Sequence, residues 1–362
     1  MMISDLPSDL LEEILFRVPA TTCLRSTCKR WEALFKSQGF NKKHFGKAPK
    51  QSMLLMLRNY RVCPVRVDHN VSPPTIEYKG ALRLNDSHSN TQQVDISNVY
   101  HCDGLLLCTT KAHKLVIWNP CSEEARWIQL NTGQDWNTQF ALGYVNNKSC
   151  RSYKILNYSK RHLRAGEVRI YEFSSDTWKV VDVDTDSLGL ILQLDGVSLK
   201  GNAYWSAFNE TDRSNFLLWF DFTRERFRRL SFPTFQNFGS NILSVVREEQ
   251  LSVLHRCFGA SKMELWVTNE IDTEAALLWT KSFAVNFHPK LRIGIPSVVS
   301  FLIDEENKLL VCRNECDDGS TLHLHIFEED GQYNSGIRVA SNSIPWCPLI
   351  VFNYVPSFAQ IH

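Results

Sequence analysis

The chain has 362 residues, 43% of them hydrophobic and 11% aromatic, with a formal net charge of +1. That balance excludes a disordered protein and argues against a globally basic nucleic-acid binder. The length is ample for a small helical module followed by one large domain with a sizeable core.

The first predicted element is a helix. Pro7 suits a first helical position, because its fixed φ matches the helix and its missing N–H would have no partner there; Asp9, Glu12 and Glu13 favour the positive end of the helix dipole. At about 100° per residue, Leu10, Ile14, Val18, Leu11 and Leu15 share one arc of about 140°, with Ser8, Asp9, Glu12 and Glu13 opposite, and Pro19 ends the run. A second apolar series at helical spacing, Leu24, Cys28, Trp31, Leu34 and Phe35, follows after a short break. A helical unit of about 40 residues rarely buries enough surface to stand alone, so another surface should cover it. That cover is either the body of the same chain or a separate partner.

The wording of this segment is more specific. Leu6-Pro7, Asp9-Leu10, Glu13-Ile14-Leu15, Arg17-Val18-Pro19 and Cys28-Lys29-x-Trp31 closely resemble the F-box motif of ubiquitin-ligase substrate receptors. The resemblance implies a three-helix F-box over residues 1–45 that docks on a Skp-type adaptor, which in turn holds a cullin and a RING subunit. The residues matching the motif, and so implied as adaptor contacts, are Leu6, Pro7, Leu10, Ile14, Leu15, Val18, Pro19, Leu24 and Trp31. One departure stands out: the segment between Pro19 and Trp31 is a couple of residues shorter than the family pattern, and removing two residues from a helix turns its faces by about 200°.

Residues 25–50 carry Lys29, Arg30, Lys36, Lys42, Lys43, Lys47 and Lys50, with Gly39, Gly46 and Pro49 breaking any long helix. This reads as a solvated basic connector, since no block of five consecutive basic residues occurs. From Ser52 the period changes. Leu54, Met56, Val62, Val65, Val67, Tyr78, Leu82 and Leu84 read as short strands divided by Pro64, Pro73-Pro74 and Gly80.

A repeated phrase then begins: a strand, a tight turn, and a strand returning with an aromatic or basic edge. Trp118, Tyr171, Phe220, Trp266 and Ile326 mark equivalent points roughly 50 residues apart, the length of a kelch-like blade, and each copy is preceded by another hairpin. Five units are clear. The strands between Ser52 and Leu84 and the C-terminal run Pro348-Leu-Ile-Val-Phe-Asn-Tyr354 supply a sixth, the last strand pairing with the first blade so that no edge stays open. The expected fold is therefore mainly β with a small α-helical N-terminal module, the β part (46–362) being a kelch-like β-propeller of about six blades; a stacked β-sandwich is the competing architecture.

Cys102-Asp-Gly-Leu-Leu-Leu-Cys108, Trp118-Asn-Pro120, Leu142-Gly-Tyr144, Tyr153-Lys-Ile155, Gly201-Asn-Ala-Tyr-Trp205 and Tyr354-Val-Pro356 resemble the type 1 F-box-associated domain of plant F-box proteins. The resemblance implies a propeller that holds a target protein for ubiquitination.

Eleven cysteines without a Cys-x-x-Cys pair, several inside apolar runs, suit thiols kept reduced, so nucleus or cytoplasm is the expected location. Acidic residues interrupt any secretory leader at the start, and the longest apolar run, residues 53–57, is far below the roughly 18 residues that span a bilayer, so no membrane partner is expected. No Walker-type loop, Gly-x-Ser-x-Gly elbow or His-Glu-x-x-His pair occurs. Cys312-x-x-x-Cys316 with His323-x-His325 is the best metal candidate, but Asp317-Asp318-Gly319 between the pairs reads as an ordinary turn; no metal, cofactor or catalytic residue is expected. The sequence thus points to a noncatalytic receptor subunit. Two other readings are a propeller scaffold whose shortened F-box no longer docks, and a propeller enzyme acting on a sugar or small metabolite.

Overall fold

The structure, a computed structural model, describes residues 7–17, 34, 37, 39–40, 43–44, 51–68, 75–85, 93–130, 138–146, 151–159, 163, 167–183, 190–235, 239–257, 262–271, 277–286, 297–304, 309–315, 321–328, 333–340 and 350–361. Helix α1 (Ser8–Leu15) precedes a long series of strands, and described residues 34, 39–40 and 43–44 between them are also helical.

The strands pair into six four-stranded antiparallel sheets. Five are built from consecutive strands. These are β4 (Ile96–Cys102) to β7 (Glu124–Ile128), β8 (Thr138–Asn146) to β11 (Thr177–Val180), β12 (Ile191–Leu199) to β15 (Arg226–Leu230), β16 (Gly239–Val246) to β19 (Trp279–Asn286), and β20 (Ser297–Asp304) to β23 (Tyr333–Ala340). The remaining sheet joins the two ends of the chain: β24 (Ile350–Tyr354) pairs with β1 (Met53–Arg58), followed by β2 (Arg61–Asp68) and β3 (Thr75–Tyr78). The register runs from Met53 opposite Tyr354 to Leu57 opposite Ile350. The first strand of each sheet neighbours the first strand of the next, from β24 through β4, β8, β12, β16 and β20 back to β24. The sheets therefore close a ring, and the expected closure by the last strand is what the chain does.

Burial follows from this stacking. A sheet covered on both faces by its neighbours needs apolar residues without alternation, and β5 (Leu105–Thr110) and β6 (Leu115–Asn119) are buried at every position. The outermost strands β7, β11 and β15 keep exposed positions on an open edge. The five equivalent points of the repeat, Trp118, Tyr171, Phe220, Trp266 and Ile326, all fall on the third strand of consecutive sheets. There Trp118, Tyr171 and Phe220 are fully buried, which is why the phrase was visible in the sequence.

The interface between the second and third consecutive sheets shows how tightly the faces meet. Trp205 is fully buried, donates from Nε1 to the Tyr158 hydroxyl at 2.8 Å and meets the Tyr158 ring edge-on at 5.2 Å. A side chain at Gly196, beside the register shift in β12, would collide with that indole, so only glycine fits. No described helix is long and apolar enough to cross a membrane.

Candidate functional site

Helix α1 starts one residue later than the sequence suggests. Pro7 sits at the N-cap in an extended conformation (φ −52°, ψ 147°), and its carbonyl accepts the Leu11 N–H at 3.0 Å. Proline serves equally well here, because the missing N–H lies outside the helix. The last turn closes with Phe16 N–H to Glu12 O at 2.9 Å and Arg17 N–H to Ile14 O at 3.0 Å. Arg17 also pairs with Glu13 across one turn at 3.2 Å, an exposed contact that contributes little.

The apolar arc of the helix is divided between two tasks. Leu11 and Leu15 point inward, 2% and 1% exposed, and pack with Phe16, Phe40 and Phe358. Burying each of these leucines is worth roughly 1.5 to 3 kcal/mol, enough to hold a two-turn helix that would not persist alone. Leu10 and Ile14 stand on the neighbouring strip, 55% and 43% exposed, with Pro7 exposed one turn before Leu10. Leu15 therefore does not belong with the surface contacts that the motif implied: it seats the helix on its own chain. Of the other implied contacts, Pro7, Leu10 and Ile14 form one exposed row. Leu6, Val18, Pro19, Leu24 and Trp31 lie outside the described residues, as does most of the second apolar series.

The seat itself comes from the far end of the chain. Beyond β24 the backbone runs under the β4–β5 turn: Tyr354 donates its hydroxyl to Gly104 O at 2.9 Å, and Ser357 Oγ donates to Asp103 O at 2.5 Å. Asn119, at the end of β6 and wholly buried, donates Nδ2 to both Ser357 O (3.0 Å) and Ala359 O (2.8 Å). Its Oδ1 accepts from the Cys121 N–H at 2.9 Å, closing the next turn. Phe358 is thereby presented to α1, and Cys121 lies beside the same cluster. Phe40 stacks on Phe16 at 4.9 Å, and His44 meets Phe358 edge-on at 4.9 Å.

Beside this segment, His101 on β4 lies near the Tyr354 ring (5.4 Å) and accepts at Nε2 from the Gly104 N–H at 3.4 Å. Burial holds its pKa down at about 4, against a smaller upward pull from Asp103. Because the folded value lies below the ordinary one near 6.5, the stability tied to the neutral ring is fully present above about pH 6.5. It is lost as the pH falls through the window toward about 4, where the unfolded chain takes up a proton that the folded one refuses. A melting midpoint that drops several degrees between pH 7 and pH 5, and a flatter profile for His101→Gln, are expected from thermal unfolding in that range.

Phe235 stacks on His255 with ring centres 3.8 Å apart and packs with Phe232 and Trp266. The register sets Cys312 opposite His325, while Cys316 is not among the described residues. Among the described residues no group of three or more His, Cys, Asp or Glu is placed to hold a metal ion.

A ring of β-sheets carries a short helix with an exposed apolar strip. Comparison with known proteins makes this specific. Residues 3–43 match the F-box domain, and residues 53–361 match the F-box associated beta propeller domain. An F-box only protein of Arabidopsis thaliana is 48% identical over 368 residues, covering 99% of this chain and 96% of its own. An F-box/kelch-repeat protein of the same plant is 48% identical over 369 residues, covering 100% and 98%. A third Arabidopsis thaliana F-box protein is 51% identical over 328 residues, covering 86% and 93%. The chain belongs to the family of F-box proteins with an F-box-associated β-propeller. An F-box joined to a propeller supports a substrate-recognition role, and the F-box implies a Skp-type adaptor as partner.

Proposed function

We propose that this protein is the substrate-recognition subunit of an SCF-type ubiquitin ligase, acting in the nucleus or cytoplasm. Its F-box docks on the Skp-type adaptor, and through it on the cullin and RING subunits, while the propeller holds a target protein for ubiquitination and degradation. The observation that carries the reading is the exposed pair Leu10 and Ile14 on a helix whose opposite apolar edge is already satisfied. Apolar side chains on consecutive turns of one strip are what a partner helix or groove can cover.

The subunit itself performs no bond chemistry. Its contribution is proximity: fixing a target lysine near the charged thioester of a ubiquitin-conjugating enzyme converts an encounter in solution into a local one and raises the effective concentration. Helix α1 and the C-terminal segment share one end of the ring with the β4–β5 and β6–β7 turns. The β5–β6 turn at residues 111–114 and the β13–β14 turn at residues 210–213 lie at the other end of their sheets.

Co-expression of the full chain with a Skp-type adaptor tests the reading. A one-to-one complex surviving gel filtration, with Kd tighter than about 1 μM, is expected. Separate elution of the two proteins at that concentration would reject the receptor in favour of a scaffold whose F-box has lost its partner.

A further inference from the structure

The segment after β24 touches both parts of the molecule, and its contacts are of two kinds. Polar contacts fix it to the ring: Asn119 Nδ2 to two carbonyls, Ser357 Oγ to Asp103 O, and Tyr354 Oη to Gly104 O. Apolar contacts fix it to the helix: Phe358, 7% exposed, sits in one cluster with Leu11, Leu15, Phe16 and Phe40. Three residues on, Ile361 is buried between the β4–β7 and β8–β11 sheets. The fit is close on the ring side. Gly104 takes φ +80°, and a side chain there would strike the Ser357 backbone and hydroxyl. Ser357 Oγ in turn accepts the Ala359 N–H at 3.2 Å, which bends the segment so that Phe358 faces away from the ring and toward α1.

We propose that residues 356–361 form a clamp that fixes the orientation of the adaptor-docking helix on the propeller, with Asn119 and Phe358 as its positioning residues. The consequence for ubiquitin transfer rests on the receptor reading above; the clamp itself does not. A receptor that works by proximity needs a defined path between the surface held by the adaptor and the surface holding the target, since a misplaced or swinging platform dilutes the effective concentration. In sequence the helix precedes β1, whereas the clamp ties it to the β4–β7 sheet from the opposite end of the chain.

Three variants of the full-length chain probe this. Asn119→Asp keeps the acceptor that closes the turn at Cys121 and removes both donors to the segment. Phe358→Ala removes the side chain in contact with the helix, and Phe358→Leu restores an apolar plug. Hydrogen exchange is read at the Leu11, Phe16 and Arg17 amides and, as an internal reference, across β12 to β18. Exchange of the α1 amides at least ~10-fold faster in Asn119→Asp and Phe358→Ala, reference strands within ~2-fold of the parent, and recovery in Phe358→Leu are expected. Unchanged α1 exchange in both Asn119→Asp and Phe358→Ala would overturn the clamp. So would acceleration spread equally over β12 to β18, which would mark general loss of stability. Adaptor affinity, measured in parallel on the parent chain, decides the receptor reading separately: a parent that captures no adaptor but shows the exchange pattern loses that reading and keeps the clamp.

Discussion

Leu10→Asp combined with Ile14→Asp is expected to weaken adaptor capture by at least ~100-fold while leaving the melting transition of the chain within a degree or two of the parent. The size of the effect follows from the contact. Covering a leucine or isoleucine contributes roughly 1.5 to 3 kcal/mol, and forcing an unpaired carboxylate into the covered site adds a desolvation penalty of about the same order, while a 100-fold loss needs only about 2.7 kcal/mol. The stability side follows from exposure: at 55% and 43% exposed, neither side chain is part of the cluster that holds α1. A carboxylate at position 10 also lies in the first turn, where the helix dipole favours negative charge. Pull-down with a Skp-type adaptor alongside thermal unfolding reads both halves. Undiminished capture would remove Leu10 and Ile14 from the docking surface, and a large drop in melting temperature would mean that the two face inward when the chain is in solution.

The divided burial of α1 explains why the helix is only half legible in the sequence. Periodicity places Leu10, Leu11, Ile14 and Leu15 on one side of a cylinder, yet it does not say how many neighbours share that side. Here two do: Phe358 and Phe40 cover the Leu11–Leu15 edge, and the adjoining strip stays open. The strands were read more fully, because a sheet covered on both faces writes continuous apolar runs such as Leu105 to Cys108, and a recurring unit writes them at a fixed interval. The pairing of β24 with β1 could be inferred from the edge left unpaired at each end of the chain. Asn119 and Ser357 could not. Trp118-Asn-Pro120 resembles a family phrase, but the partners of Asn119 lie about 240 positions away, on backbone carbonyls that any residue type would supply. A polar side chain that serves remote backbone leaves no periodic trace. The misplacement of Pro7 by one position has a local cause: N-cap and first-turn sites both tolerate a missing N–H.

Ending the chain after Ala340 is expected to abolish the cooperative fold, although it removes only residues 341–362. Of what is lost, Val351, Tyr354, Phe358 and Ile361 are buried, and at roughly 1.5 to 3 kcal/mol each they account for about 6 to 12 kcal/mol. The whole stability of a domain is of order 5 to 15 kcal/mol, so the truncation consumes most or all of it. The edge matters as much as the area. Without β24, the ladder positions of β1 from Met53 to Leu57 lose their partners, and Leu55, Met56 and Leu57, fully buried in the closed ring, come to lie on an open strand. Unpaired apolar edges of that kind recruit other chains. The truncated protein should accumulate in the insoluble fraction or elute as aggregates without a thermal transition. A permuted chain separates closure from mere length. Because Met53 lies opposite Tyr354, a tight turn can join position 355 to position 52, so that β24 precedes β1 in a hairpin and the chain ends after β23. That permutant, which lacks the F-box altogether, should be soluble and melt cooperatively where the truncation does not. A soluble, cooperatively melting truncation would show that the ring holds without its last strand, and would leave the C-terminal segment with the helix as its one task.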